Sequence, residues 1–167
     1  MKNFQAFIDS SVLIEHLKGN PNARNLLQEL ITKDGEIFIN DVVTSEVIFI
    51  YLKIISGKSV LTLKKKPELV KSVNKTPCYE LLGLFKFLEV NEFIYRISRD
   101  LIDKYGLLPN DALILATCKF YGIRYLVSLD DDFEYPCKRE GIVLIDSVEK
   151  LKEELTKYIL ARENKNT

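Results

Sequence analysis

The chain has 167 residues, 47% of them hydrophobic and 29% charged, with 24 basic and 24 acidic side chains, which describes a single domain large enough for a proper core. A net charge of zero neither announces nor excludes nucleic acid, because distribution matters more than the sum. Cys78, Cys118 and Cys137 form no CxxC pair, no run reaches membrane-spanning length and the start, MKNFQAFIDSS, has no apolar core before its first acid. Together these features argue against a zinc site, a disulfide framework or membrane attachment, and point to a cytoplasmic protein.

Phe4 to Ile8 reads as a first strand that ends at Asp9. Val12, Leu13, Ile14 and Leu17 follow at helical spacing, Gly19 stops them, and Asp9 is placed to cap that helix. Asn20-Pro21 opens a second helix with Ala23, Leu26, Leu27, Leu30 and Ile31 on one face. Lys33-Asp34-Gly35 is a turn, Ile37 to Ile39 a second strand, and Asn40 or Asp41 the cap of a helix from Val42 to about Ile55. In that helix Glu46 lies about 40° from Ile50 and about 60° from Val43 and Phe49. A carboxylate on an apolar face needs a partner or a purpose, and no base shares that face within a turn.

Lys53 to Lys75 holds seven lysines against Glu68 alone, a net charge of +6. Its apolar residues suggest short helices, and the lysine-rich segment at about 57–77 belongs to the same single domain, 1–167. Lys58, Lys64, Lys65 and Lys66 are candidates for gripping a phosphate backbone; a solvated helical pair is the competing reading. Pro77 to Phe87 reads as a helix, Phe87 to Val90 as the third strand, and Asn91 to Tyr105 as a helix stopped by Gly106.

The most informative stretch is Leu107 to Phe133. A helix from Asp111 to Tyr121 is about 16 Å long and a strand from Arg124 to Leu129 about 20 Å, so the strand returns Asp130 to the level of Asp111. Ile142 to Ile145 is the final strand. Asp146 and Glu149 are spaced as a capping box for a last helix striped by Leu151, Leu155, Tyr158 and Ile159, before a frayed polar tail.

Strands alternating with helices predict a three-layer α/β/α sandwich around a mostly parallel sheet of about five strands, Rossmann-like in plan. Asp9, Glu46, Asp111 and Asp130 then converge on one sheet edge. Each has an ordinary explanation alone, as cap, salt-bridge partner, helix-dipole partner or turn former. Those explanations leave the shared destination unexplained. Clustered carboxylates repel unless protons or cations intervene, and hard divalent ions, Mg²⁺ or Mn²⁺, suit all-oxygen ligands. His16, the only histidine, reads as a surface residue of the first helix.

The ordered set FIDSSVLI, TSEV, PNDALILATC and LVSLDDDF resembles the four acidic motifs of the PIN-domain family, and nearly the whole chain takes part. The likeness extends to its VapC-type toxin ribonucleases. It implies that Asp9, Glu46, Asp111 and Asp130 are the catalytic, metal-binding quartet, with Ser11 and Ser128 as the small polar neighbours. Such families place the fourth acid either two residues after the Ser/Thr or just before the Phe. Asp130 meets the first description and Asp132 the second; Asp130, which leaves the strand first, is favoured as the ligand, with Asp132 as an outer contributor. The resemblance also implies an RNA substrate, products with 5′-phosphate and 3′-hydroxyl ends, an antitoxin partner and a homodimer. The expected function is thus divalent-metal-dependent endoribonuclease. The rival reading is a non-catalytic RNA-binding or partner-binding module of the same fold. A phosphoacceptor receiver would want paired acids after strand one and a lysine after the last strand, where Asp9 stands alone and Asp146 follows. A haloacid-dehalogenase-type phosphatase would want an acid at Ser11.

Overall fold

Five short strands pair into one parallel sheet in the computed structural model, which describes residues 4–33 and 35–164. β1 (Phe4–Ile8), β2 (Gly35–Asn40), β3 (Lys86–Leu88), β4 (Tyr125–Val127) and β5 (Val143–Ile145) lie in the order β3-β2-β1-β4-β5. Each neighbouring pair is parallel, with Ile8 opposite Val127 at the centre. From β1 the chain steps through β2 to β3, then crosses back to β4 and continues to β5. Right-handed crossovers therefore place helices on both faces, and the direction switches between β1 and β4.

The helices are α1 (Ser10–Leu17), α2 (Pro21–Ile31), α3 (Asp41–Ser56), α4 (Val60–Lys65), α5 (Pro67–Ser72), α6 (Thr76–Leu82), α7 (Glu92–Tyr105), α8 (Pro109–Tyr121), α9 (Glu134–Glu140) and α10 (Val148–Glu163). Their starts are written locally. Asn40 takes the Val43 N–H at 3.1 Å to cap α3, and its amide donates to Thr117 of α8 at 2.9 Å, so one fully buried side chain both starts a helix and ties two together. Such a cap is worth about 1 kcal/mol. Pro109 opens α8, and Gly122 closes it with a φ of 68°, a left-handed turn that lets the chain double back into β4. Phe7, Ile8, Leu115, Leu126 and Ile145 are fully buried in the core between the layers.

Four boundaries differ from expectation. The strand expected over 124–129 pairs only over Tyr125–Val127. The helix expected over 77–87 ends at Leu82, and the third strand is Lys86–Leu88 rather than 87–90. Gly83 caps that helix, and pairing of Phe38 with Lys86 and of Asn40 with Leu88 sets the strand register. Asp146 does not cap α10. The Ser147 hydroxyl accepts the Lys150 N–H at 3.3 Å, and the Asp146 carboxylate accepts from that same hydroxyl at 3.0 Å. The expected turn at Lys33–Gly35 includes Asp34, and the expected tail includes residues 165–167; these lie outside the described residues. Among the described residues no helix is long and apolar enough to cross a membrane.

Candidate metal centre

Asp9 leaves β1 at the switch point and is only 3% exposed. Its Oδ2 accepts the Ser11 N–H at 3.2 Å, the Ser11 hydroxyl at 2.6 Å and the Ser128 hydroxyl at 2.8 Å. The residue is thus cap and site acid at once, as its place at a strand end predicts. Each serine spends its proton on Asp9 and uses its oxygen elsewhere: Ser11 Oγ accepts from Leu129 N, and Ser128 Oγ from Asp130 N, both at 3.0 Å. The two hydroxyls therefore stitch the ends of β1 and β4 together around one carboxylate. Burial still outweighs these bonds and pushes the Asp9 pKa up.

Glu46, in the second turn of α3, is half-buried and has only neutral hydrogen-bond partners among the described residues. Its Oε2 accepts from the Ser10 hydroxyl at 2.7 Å, and its Oε1 from the Asn110 amide at 2.6 Å. Ser10 Oγ also lies 3.5 Å from Asp9 Oδ1, so it bridges the first two acids. Ser10 and Asn110 were not singled out from sequence; their only local signal is that each adjoins a site acid. A small pocket of about 270 Å³, lined by Asp41, Val42, Ser45, Glu46 and Asn110, opens here.

Asp111 sits in the first turn of α8, and Asp130 caps the turn Asp131–Phe133 by accepting the Asp132 N–H at 3.0 Å. Phe133, fully buried, anchors that turn. Asp111, Asp130 and Asp132 each offer a carboxylate oxygen, all within 4.8 Å of one another. Asp9 and Glu46 stand outside that trio, and Asp132 is inside it. Burial raises the Asp111 pKa to about 6, reinforced in turn by the charges of Asp9, Asp130, Glu46 and Asp132. That response ties all five acids into one electrostatic unit.

No described lysine or arginine pairs with any of the five. Oxygen donors, mutual repulsion and the lack of a cationic side chain make this a donor set suited to a hard divalent ion. His16 lies half-buried in α1, in a different pocket, beside Arg24 and Leu27. Lys58, Lys64, Lys65 and Lys66 are exposed but do not join the acids. They follow the far end of α3, and Ser56 is about 15 Å along the helix axis from Glu46.

The family described as PIN domain matches residues 6–138. The chain is 44% identical over 134 residues to Ribonuclease VapC2 of Methanocaldococcus jannaschii, covering 80% of this chain and 90% of that protein. Among solved structures, VapC20 of Mycobacterium tuberculosis, described as a sarcin-ricin loop cleaving toxin, superposes with a TM-score of 0.58 at 16% identity, covering 83% of this chain and 96% of its own. A toxin-antitoxin complex from Klebsiella pneumoniae gives a TM-score of 0.55 at 22% identity, with 77% and 89% covered.

Proposed function

Because the chain belongs to the PIN-domain family, we propose that it is a divalent-metal-dependent endoribonuclease and the toxin of a toxin–antitoxin pair. The observation that carries this reading is the gathering of five acids from four segments at the switch point, Asp9, Glu46, Asp111 and the Asp130/Asp132 pair, without a cationic partner among the described residues. The relative named Ribonuclease VapC2 supports the activity, and the Klebsiella complex, by its title, supports the pairing.

Asp111, Asp130 and Asp132 would hold Mg²⁺ or Mn²⁺, with Asp9 and Glu46 completing the set. A divalent ion bound there supplies positive charge at the scissile phosphate and lowers the pKa of a coordinated water. The chain's own work is to keep the carboxylates in place. Ser11 and Ser128 fix Asp9, while Ser10 and Asn110 fix both oxygens of Glu46, so little reorganisation is left for the reaction step. We read the substrate as RNA, the products as 5′-phosphate and 3′-hydroxyl ends, the assembly as a homodimer blocked by an antitoxin, and the compartment as the cytoplasm. Three buried free cysteines suit that reducing compartment.

The test is cleavage of a panel of RNAs with Mg²⁺, Mn²⁺ or EDTA, with Asp9→Asn as control. Cleavage in either metal that is lost in EDTA and in the folded variant is expected. Undiminished cleavage by Asp9→Asn would remove the assignment. Salt-dependent RNA binding without cleavage in either metal would identify a non-catalytic module instead.

A further inference from the structure

The lysine-rich lobe is left over by the site just described. Lys58, Lys64, Lys65, Lys66 and Lys71, on and beside α4 and α5, are exposed. None of them has an ion pair among the described residues, whereas Lys33, Lys104 and Lys157 each sit against a carboxylate. Like charges gathered around a single acid, Glu68, repel each other, a cost that a polyanion removes.

The lobe is docked rather than loose. Leu63 and Val73 are buried, and Tyr51 of α3 donates its hydroxyl to the Asn74 carbonyl at 2.9 Å. A surface also connects it to the acids. Asp41, Ser45, Phe49 and Lys53 recur every fourth residue of α3, forming a slowly winding stripe. The stripe starts at the pocket beside Glu46 and Asn110. Midway, Phe49 is 43% exposed and the Lys53 ammonium lies 5.8 Å from its ring centroid. Beyond Gly57 the lysines begin.

We propose that single-stranded RNA flanking the scissile bond runs along the outer face of α3, stacks a base on Phe49, and is anchored by its phosphates on the lysine lobe. The proposal rests on RNA being the substrate and adds an exosite. The run of α3 from Glu46 to Ser56, about 15 Å along its axis, corresponds to about four stacked nucleotides at 3.4 Å each. Substrates shorter than that reach the acids but not the anchor. Aromatic stacking plus a basic track gives affinity without reading bases, so the lobe raises occupancy and leaves sequence choice to the acidic end.

The experiment measures binding of fluorescein-labelled 24-nucleotide and 3-nucleotide single-stranded RNAs by anisotropy, in EDTA, from 50 to 300 mM KCl. The wild type binds the 24-mer at least tenfold more tightly. In the variant carrying Lys→Gln at positions 58, 64, 65, 66 and 71 that preference collapses, and the log–log salt slope falls by about 0.7 for each lysine that neutralises a phosphate. The matching Lys→Arg variant keeps both, and Phe49→Ala weakens the 24-mer about tenfold. An unchanged slope and affinity for the 24-mer overturns the proposal, including the case where a protein partner is lost instead. If the five-site variant does not fold, Lys64→Gln/Lys65→Gln must show a proportionate fall in slope. Because EDTA stops turnover, absence of cleavage would sink the nuclease reading alone, and absence of lysine-dependent binding would sink this one alone.

Discussion

Asp111→Asn should stabilise the metal-free protein at neutral pH while abolishing cleavage. Asp111 is half-buried, and burial plus four neighbouring carboxylates raise its pKa from 3.8 to about 6. The native state therefore binds more protons than the unfolded chain across that window, and stability falls as pH rises through it. A rise of that size corresponds to at most about 3 kcal/mol, and solvent screening of a half-buried group leaves about 1–2 kcal/mol. For a chain of this length that is a melting-temperature increase of about 3–6 °C. The assay is thermal and urea unfolding of wild type and Asp111→Asn in EDTA at pH 8 and pH 5. The variant should be the more stable at pH 8, and its advantage should shrink by about half at pH 5, where the wild-type carboxylate is largely protonated in the native state. Saturating Mg²⁺, at 100 times its dissociation constant, should stabilise wild type by about 2.7 kcal/mol and the variant much less. A variant no more stable than wild type at pH 8, or an advantage that ignores pH, would refute the charge crowding on which the site rests.

Ser128→Ala removes a donor to buried Asp9 and the acceptor for the Asp130 N–H, so it should cost about 1–3 kcal/mol in urea unfolding and lower the cleavage rate about 10–100-fold. Asp132→Asn should raise the half-saturating Mg²⁺ concentration about tenfold in cleavage assays, as Asp130→Asn should, while Asp131→Asn leaves it unchanged, since Asp131 lies outside the trio. Glu140→Gln should destabilise the docking of α9 by about 1–2 kcal/mol, because Lys104, Lys119 and Tyr105 all donate to that carboxylate. Those bonds, from Lys119 first, hold the Glu140 pKa at about 2, so its contribution is present above pH 4.5 and is lost as pH falls towards 2. A wild-type acid-unfolding profile unaltered by Glu140→Gln would contradict it.

Local rules carried the sequence reading where one residue decides an outcome. Asn20, Asn40 and Asn91 cap helices, Gly106 and Gly122 end them, and β1 and β5 stand out as short apolar runs between such signals. The similar spans of a helix over 111–121 and an extended run over 124–129 were enough to place Asp111 and Asp130 at one level, although only Tyr125–Val127 of that run pairs as strand. Contacts between distant segments were harder to read. Ser10 reaches Glu46 across 36 residues and Asn110 reaches it across 64, and neither bond leaves a periodicity in the chain. The register of β3 comes from β2, since an edge strand with Lys86 and Phe87 exposed has little apolar pattern of its own. Asp132 joins the trio because the short turn after Asp130 curls back on itself, a geometry that three consecutive aspartates do not announce. The lysines were conspicuous by composition, but their distance from the acids depends on α3 running to Ser56 before they begin.

The chain treats two of its carboxylates in opposite ways, and the contrast explains why the site points outward. Glu140 receives two ammonium groups and a phenol, and its charge is settled within the fold. Asp111 receives repulsion from four acids, and only hydroxyls and amides tend its neighbours. With 24 basic side chains available, pairing the site internally was within reach of the composition. Neutral donors position carboxylates without cancelling them, so the attraction for an external cation survives folding. The cost appears as instability of the metal-free protein above about pH 4, which a bound ion would offset. A lysine introduced at Asn110 would test that logic from the other side. Its ammonium would sit beside Glu46 and lower the crowding, so the metal-free protein should gain stability while losing affinity for Mg²⁺ and with it cleavage. Gain of stability with metal affinity intact would mean that the acids' charge is not what holds the ion.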